Sequence, residues 1–396
     1  MRRSPILAAR FLVGLALGLL GGTGAAYAEW PTIATEAKQA ILIDFQTGAV
    51  LLNKNADELM PPSSMSKLMT GYMVFDKLKK GELKLEDELP VSEKAWKTFG
   101  SKMFVPLGER VKVADLLRGM IIQSGNDACI VLAEGLAGSE EKFAELMTQK
   151  AREIGMPKSV FRNAHGLPDP QHVMTARELA HLASLIIRNF PDFYGLYSEK
   201  TFTYGIDQVT KKPITQGNRN PLLYKNVGAD GLKTGHTDAA GYGLTASTMR
   251  DGRRLILVIN GMQNVNARAR EAERLLDWGY REFETVTIAK AGQPVDEANV
   301  WLGVAPKVGL ASDVNISATM PRPARKSLKV VVQYDDPIPA PIRRGQPIGR
   351  LVVSASEMET KEYPLVTAGD VAKLGFADRI ATAASYLVWG RPAAAR

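Results

Sequence analysis

The chain has 396 residues, 45% of them hydrophobic and 23% charged, with a formal charge of +8. That is enough for two or three domains with ordinary globular cores. The basic excess contains no arginine-rich or lysine-rich run. It therefore argues against a nucleic-acid partner and for no more than a weak attraction to an anionic membrane or wall polymer.

Residues 1–28 read as a secretory signal peptide. Arg2 and Arg3 open a basic segment, an apolar stretch occupies 11–20, and Ala26-Tyr27-Ala28 is a small-residue cleavage site that leaves Glu29 as the mature N-terminus. The arginine pair lacks the rest of a twin-arginine pattern, which favours a general export route. Two apolar runs, 40–43 and 49–52, flank Asp44-Phe45-Gln46-Thr47-Gly48 and predict a hairpin. Pro61-Pro62 then precede Ser64-Met65-Ser66-Lys67. Met65, Leu68, Met69, Tyr72 and Met73 recur at helical spacing as far as Gly81, placed where a C-cap sits. Further helices are expected over 113–121, from the break at 123–127 to Gly138, over 140–155 and over 175–189. The single cysteine, Cys129, excludes an intramolecular disulfide and reads as a buried packing residue. Strand signals return at 233–237, 242–247 and 254–259, with a turn at Asp251-Gly252, and 267–278 reads as a helix. Strands from both ends of this stretch bracket a helical insertion, which predicts an α+β domain over 29–286. Short apolar or alternating runs at 295–300, 314–318, 328–334 and 349–354, separated by prolines and glycines, predict a small all-β domain over 287–366.

The tail, 367–396, reads as an amphipathic helix capped by Asp370 and running to about Trp389. Phe376, Ile380, Ala383, Ala384 and Leu387 form its apolar face. Lys373, Arg379 and Arg391 supply cations, and Tyr386 and Trp389 suit an interfacial zone. No uncharged run here is long enough to cross a bilayer, so the tail is expected to lie in the interface. A terminal helix packed on the β-domain is the plain rival.

Three short motifs carry the chemistry. Ser64 and Lys67 are three apart and share one face of a helical turn. A serine hydroxyl attacks only once a neighbour takes its proton, and lysine does this only as a neutral amine in a desolvated or positively charged site. The helix start adds amide donors near a developing oxyanion. Alone, S-x-x-K equally describes an N-cap and a solvated lysine. Ser124-Gly125-Asn126 alone is a turn, and Lys233-Thr234-Gly235, opening a strand, is equally an edge lysine beside a glycine bulge. In this order the three form the serine acyl-transfer set S-x-x-K, S-x-N and K-T-G, which chance explains poorly.

On these residues the chain resembles the serine-type penicillin-recognising enzymes, most closely the low-molecular-mass D-alanyl-D-alanine carboxypeptidases. The likeness spans nearly the whole mature chain. It includes Asn163-Ala164-His165-Gly166-Leu167, Thr175-Ala176-Arg177, Gly231-Leu232-Lys233-Thr234-Gly235-His236-Thr237 and Arg270-Glu271-Ala272-Glu273. Gly125 stands where class A β-lactamases commonly have Asp, and no clear E-x-x-L-N motif is present. Glu178 is the nearest fragment and reads as part of a helix start.

The resemblance implies a β-lactamase/transpeptidase-like catalytic domain, an antiparallel sheet with a helical insertion, followed by the β-domain and terminal helix. It implies that Ser64 attacks the carbonyl between two D-alanines, and that Lys67, kept neutral by burial and by the charge of Lys233, is its base. Ser124 relays a proton to the leaving group, and Asn126 orients Lys67 and holds the substrate amide. The amides of Ser64 and His236 form the oxyanion hole. Lys233, Thr234 and Thr237, with Gly235 completing the motif, meet the terminal carboxylate, and Arg219 and Arg270 match arginines of the family. No cofactor and no metal are implied; His165 and His172 are structural. The expected partners are a peptidoglycan stem peptide ending in D-Ala-D-Ala, β-lactams as covalent inhibitors, and the outer face of the cytoplasmic membrane. The rivals are a D-Ala-D-Ala endopeptidase, a β-lactamase and a non-enzymatic wall-binding scaffold, the last disfavoured because all three motifs are intact.

Overall fold

The computed structural model describes residues 30–389, apart from Gln208 and Glu357. The expected signal peptide, its Glu29 junction and Arg391 lie outside the described residues, as do the side chains of Tyr386, Leu387 and Trp389.

The catalytic region is built on a five-stranded antiparallel sheet. In space its order is Val50–Lys54, Gln39–Asp44, Arg253–Met262, Gly241–Arg250 and Ala229–Thr237. The predicted hairpin supplies the first two strands, with Leu42 opposite Leu52. The chain then leaves the sheet after Lys54, for residues 55–228, and returns at Ala229. Strand Arg253–Met262 is apolar on both faces because both are covered. Ile256 and Val258 join Ile41 and the inserted helices in one core; Leu255, Leu257 and Ile259 join Leu42 and helix Val265–Glu282 in the other.

The longer inserted helices are Lys67–Lys79, Val113–Ile121, Asn126–Ala137, Glu140–Glu153 and Ala176–Asn189. Their ends follow local chemistry. Ser139 and Thr175 cap the last two by accepting the Lys142 and Glu178 amides, and Gly138 closes Asn126–Ala137 at φ 81°, a conformation that costs glycine little. Glu178 belongs to this helix start, with its carboxylate oxygens on the Lys158 amide and the Ser159 hydroxyl. Features not predicted in this region include the hairpin Thr201–Ile206 with Pro213–Gly217, the short pair Glu88–Pro90 with Arg110–Lys112, and the short helices Glu93–Lys97 and Pro191–Tyr194.

Strand Phe283–Ala289 crosses the expected boundary at 286/287 and pairs with Ile316–Pro321. Beside this pair stands a six-stranded sheet ordered Lys329–Tyr334, Pro347–Ala355, Met358–Thr367, Lys307–Ala311, Pro294–Trp301 and Ile338–Pro339. The two regions meet at Asp44. Its buried carboxylate accepts from Arg253 Nε at 2.9 Å and Thr285 Oγ1 at 2.6 Å, while Thr47 and Thr319 hydroxyls meet at 2.6 Å.

The terminal helix is Phe376–Trp389 and starts later than expected. Asp370 does not cap it, because its Oδ1 accepts the Arg344 amide at 2.8 Å. Val371 and Lys373 are bridged to Ile342 and Gly303, so the segment before Phe376 is held in extended contact with the β-domain. No helix among the described residues is long and apolar enough to cross a membrane.

Candidate active site

Ser64 lies in a 3-10 turn, Ser63–Ser66, that feeds directly into helix Lys67–Lys79. Ser64 is half-buried. The three-residue spacing places the Lys67 amine 2.9 Å from Ser64 Oγ. The same amine donates to Asn126 Oδ1 at 2.8 Å and to the His165 carbonyl at 2.5 Å. Lys67 is only 1% exposed. Burial is the main cause that lowers its pKa from 10.5 to about 8, and the charge of Arg219 adds to it. Lys233, expected to supply that neighbouring charge, is instead itself held well below its ordinary value, by burial first and then by Lys67 and Arg219.

The second motif forms the break between helices Val113–Ile121 and Asn126–Ala137. Ser124 is buried at φ 60°, a conformation a non-glycine residue adopts only when its surroundings enforce it. The loop in front is tied down by Asp127, whose carboxylate accepts the amides of Met103, Phe104 and Val105. Asn126 Nδ2 donates to the Phe99 carbonyl at 2.8 Å, which fixes its oxygen toward Lys67. The amines' hydrogen bonds go to Ser64, Asn126, His165 and Thr234, so neither amine is bonded to Ser124.

The third motif is not at a strand start. Lys233, Thr234 and Gly235 occupy the middle and second half of Ala229–Thr237, the edge strand that packs on the Ser63–Ser66 turn. Gly235 is required there, since a Cβ would stand 2.9 Å from the Pro62 carbonyl oxygen and 3.1 Å from Ser63 Cβ. Thr237 Oγ1 lies 3.2 Å from Ser63 Oγ. His236 is exposed and stacks on Tyr242 with ring centres 3.8 Å apart.

The arginines divide. Arg219 donates to Ser101 Oγ at 2.6 Å, on the loop that also holds Asn126. Arg270 is exposed on the outer side of helix Val265–Glu282. Arg268, passed over in the sequence, is buried over Tyr242, lies 3.5 Å from the Gly243 and Arg219 carbonyls, and is among the charges that lower Lys233. Two residues apart on a helix point to nearly opposite sides. Arg268 shares the buried stripe of Ala272 and Leu275, a periodicity that was available in the sequence.

His165 and His172 are both committed to the fold. His165 Nε2 meets Glu140 Oε1 at 3.0 Å, and its Nδ1 accepts the Leu167 amide at 3.1 Å. His172 Nδ1 accepts the Arg162 amide, and its ring packs edge-on against Phe161. Glu140 and the His165 carbonyl were not foreseen as neighbours of Lys67. Cys129 is fully buried beside the site, its thiol pushed up to about 12 by burial.

This arrangement of a half-open serine, a buried amine and an edge strand has known counterparts. The family described as D-alanyl-D-alanine carboxypeptidase, peptidase S11, matches residues 25–264, and the penicillin-binding protein 5 C-terminal domain matches 283–373. The chain belongs to the serine D-alanyl-D-alanine carboxypeptidase family. It is 39% identical over 360 residues to D-alanyl-D-alanine carboxypeptidase DacC of Escherichia coli K12, covering 89% of this chain and 88% of that one. With DacA of Haemophilus influenzae it shares 37% over 345 residues, 86% of each chain. Among solved structures, penicillin binding protein 5 from Haemophilus influenzae matches with a TM-score of 0.77 at 36% identity, covering 87% of this chain and 99% of that one. Ampicillin-bound penicillin-binding protein D2 from Listeria monocytogenes matches with a TM-score of 0.57 at 30% identity, over 63% of this chain and 99% of that one. The carboxypeptidase fold thus extends through the β-domain.

Proposed function

We propose that the chain removes the terminal D-Ala from peptidoglycan peptides through a Ser64 acyl-enzyme, with Lys67 as base. The observation that carries this is the buried Lys67 amine, 2.9 Å from Ser64 Oγ and lowered to about 8. At neutral pH about a tenth of that amine is unprotonated, against a few in ten thousand for an ordinary lysine, so it can take the serine proton as Oγ bonds to the carbonyl carbon between the two D-alanines. The carbonyl electrons move onto oxygen, where amides of Ser64 and of His236 on the edge strand are the donors; losing one such donor costs on the order of 3 kcal/mol of barrier stabilisation. Strand Ala229–Thr237 pairs on one side only, which leaves the backbone on its other side free to meet a substrate. Collapse breaks the C–N bond, the departing D-Ala nitrogen takes a proton by way of Ser124, and water then hydrolyses the ester.

Asn126 holds Lys67 and the substrate amide. Lys233, Thr234, Thr237 and Arg219 recognise the free carboxylate, and Arg268 takes the supporting place expected of Arg270. Glu178 has both carboxylate oxygens engaged elsewhere and supplies no base for rapid deacylation, which separates the chain from class A β-lactamases. A β-lactam presents the same carboxylate and a strained amide and acylates Ser64.

We further propose export to the periplasm and peripheral attachment through the terminal helix. The support is the N-terminal pattern and the exposure of Phe376 and Ile380, 73% and 56%, on the described part of that helix. The β-domain then acts as a spacer between membrane and active site.

Two measurements test these proposals. Incubation with a D-Ala-D-Ala pentapeptide should release one D-Ala and leave a tetrapeptide, while penicillin should add one adduct by intact mass that Ser64→Ala abolishes. An adduct that survives Ser64→Ala refutes the nucleophile. Vesicle co-sedimentation of the mature chain and of a version ending at Gly375 tests the anchor; equal partitioning refutes it.

A further inference from the structure

Lys67 delivers its shortest hydrogen bond to a backbone carbonyl, that of His165, rather than to a side chain. A carbonyl holds an amine reproducibly only if its own loop is held. Residues 163–167 are held from several sides. Asn163 Oδ1 accepts the amides of His165 and Gly166, the Ala164 carbonyl accepts Thr70 Oγ1 at 2.6 Å, and Gly166, at φ 84°, passes so close to Ser63 that no Cβ fits. The remaining anchor is charged. Glu140, first residue of helix Glu140–Glu153, places Oε1 3.0 Å from both the Ala164 amide and His165 Nε2, and Oε2 2.9 Å from Lys94. Because the Leu167 amide donates to His165 Nδ1, the ring proton sits on Nε2 and points at Glu140. Ring and carboxylate are therefore locked as a pair directly behind the residue whose carbonyl receives Lys67.

We propose that Glu140 is a positioning residue for Lys67: it fixes the His165 carbonyl that receives the amine, and its carboxylate charge sets how readily that amine gives up its proton. This rests on Lys67 being the base of acylation. The electrostatic part follows from burial. The Glu140 side chain is 6% exposed, whereas Lys94, its cationic partner, is 44% exposed and screened by solvent. Burial alone would raise the Glu140 carboxyl, but His165, the Ala164 amide and Lys94 outweigh it and hold it at about 2, so it is an anion throughout the working range. The groups that face Lys67 from the other elements are Asn126, Asp127 and the thiol of Cys129 on helix Asn126–Ala137, Arg219 on its loop, and Lys233 on the edge strand. Glu140 and Asp127 oppose Arg219; removing Glu140 tips the balance toward the neutral amine. Glu140 acts on the amine less strongly than Arg219 or Asp127, so its removal moves the titration down by a fraction of a pH unit, on the order of a few tenths.

The test compares Glu140→Gln and Glu140→Ala with the parent, using the mature chain. The second-order rate of acylation by a fluorescent penicillin is followed from pH 5 to 10, alongside thermal unfolding. Glutamine keeps an acceptor for Ala164 and His165 but removes the charge. Its acid limb should move to lower pH by a few tenths of a unit, on the order of what a weak buried charge contributes, with the plateau rate within a few-fold of the parent. Alanine frees the carbonyl as well, and its plateau should fall about tenfold or more at every pH. A purely structural strut would lower the unfolding temperature and leave the acid limb in place, so superimposable parent and Glu140→Gln profiles overturn the proposal, with or without a folded alanine variant. Lys67→Ala is the separate control: acylation at the parent rate in that variant refutes Lys67 as base, whatever Glu140 does.

Discussion

Lys67 should be a net electrostatic burden on the fold, and Lys67→Met measures it. An amine lowered from 10.5 to about 8 has a folded-state pKa below its unfolded value. For a base this means that protonation favours the unfolded chain. The penalty is fully present below pH 8, shrinks as pH rises from 8 to 10.5, and is absent above. With about 1.36 kcal/mol per unit, it amounts to roughly 3 kcal/mol at pH 6 and under 1 kcal/mol at pH 10. Methionine removes the charge and keeps most of the volume. It also leaves Asn126 Oδ1 and the His165 carbonyl without a donor, a loss on the order of 1–3 kcal/mol each that does not depend on pH. The net change at one pH therefore decides little, but the difference between two pH values isolates the charge. Urea unfolding of parent and variant side by side at pH 6 and pH 10 cancels every other titrating group. The variant should gain on the order of 2–3 kcal/mol relative to the parent on going from pH 10 to pH 6, and acylation by penicillin should be lost. An equal stability difference at both pH values would show that Lys67 is not a depressed, buried amine, and the account of its basicity would fall with it.

Gly235→Ala should push the edge strand away from the Ser64 turn, because its Cβ would meet the Pro62 carbonyl at 2.9 Å; acylation by penicillin should slow tenfold or more while the far-ultraviolet circular dichroism stays that of the parent. Arg268→Ala should raise KM for a D-Ala-D-Ala peptide by tenfold or more, whereas Arg270→Ala should stay within twofold; the reverse ranking would return the substrate-side role to Arg270. Cys129, buried and pushed up to about 12, should resist a thiol reagent at pH 8 in the folded chain and react promptly in urea.

Local pattern carried much of this protein. Helical spacing marks the helix from Val113 to about Ile121, and Ser139 and Thr175 start helices and Gly138 ends one where their side-chain or backbone chemistry requires. The spacing of Ser64 and Lys67 by itself puts hydroxyl and amine on one turn, because three residues make nearly one turn of helix. The terminal helix shows where local pattern stops: its apolar face is legible, but its start is not, since Asp370 and Val371 are taken by Arg344 and Ile342 of a distant loop. The same holds at the active site. Asn126 lies 59 residues from Lys67 and the His165 carbonyl 98 residues away. No periodicity links them, and only the closing of the sheet over its helical insertion brings them to one amine. That Arg268 is buried and Arg270 exposed depends on which side of helix Val265–Glu282 meets the sheet. The lowered pKa of Lys67 depends on burial by elements from the whole catalytic region. The sequence determines which residues are chemically able to act; desolvation and contact across the chain, which are tertiary properties, decide which of them do.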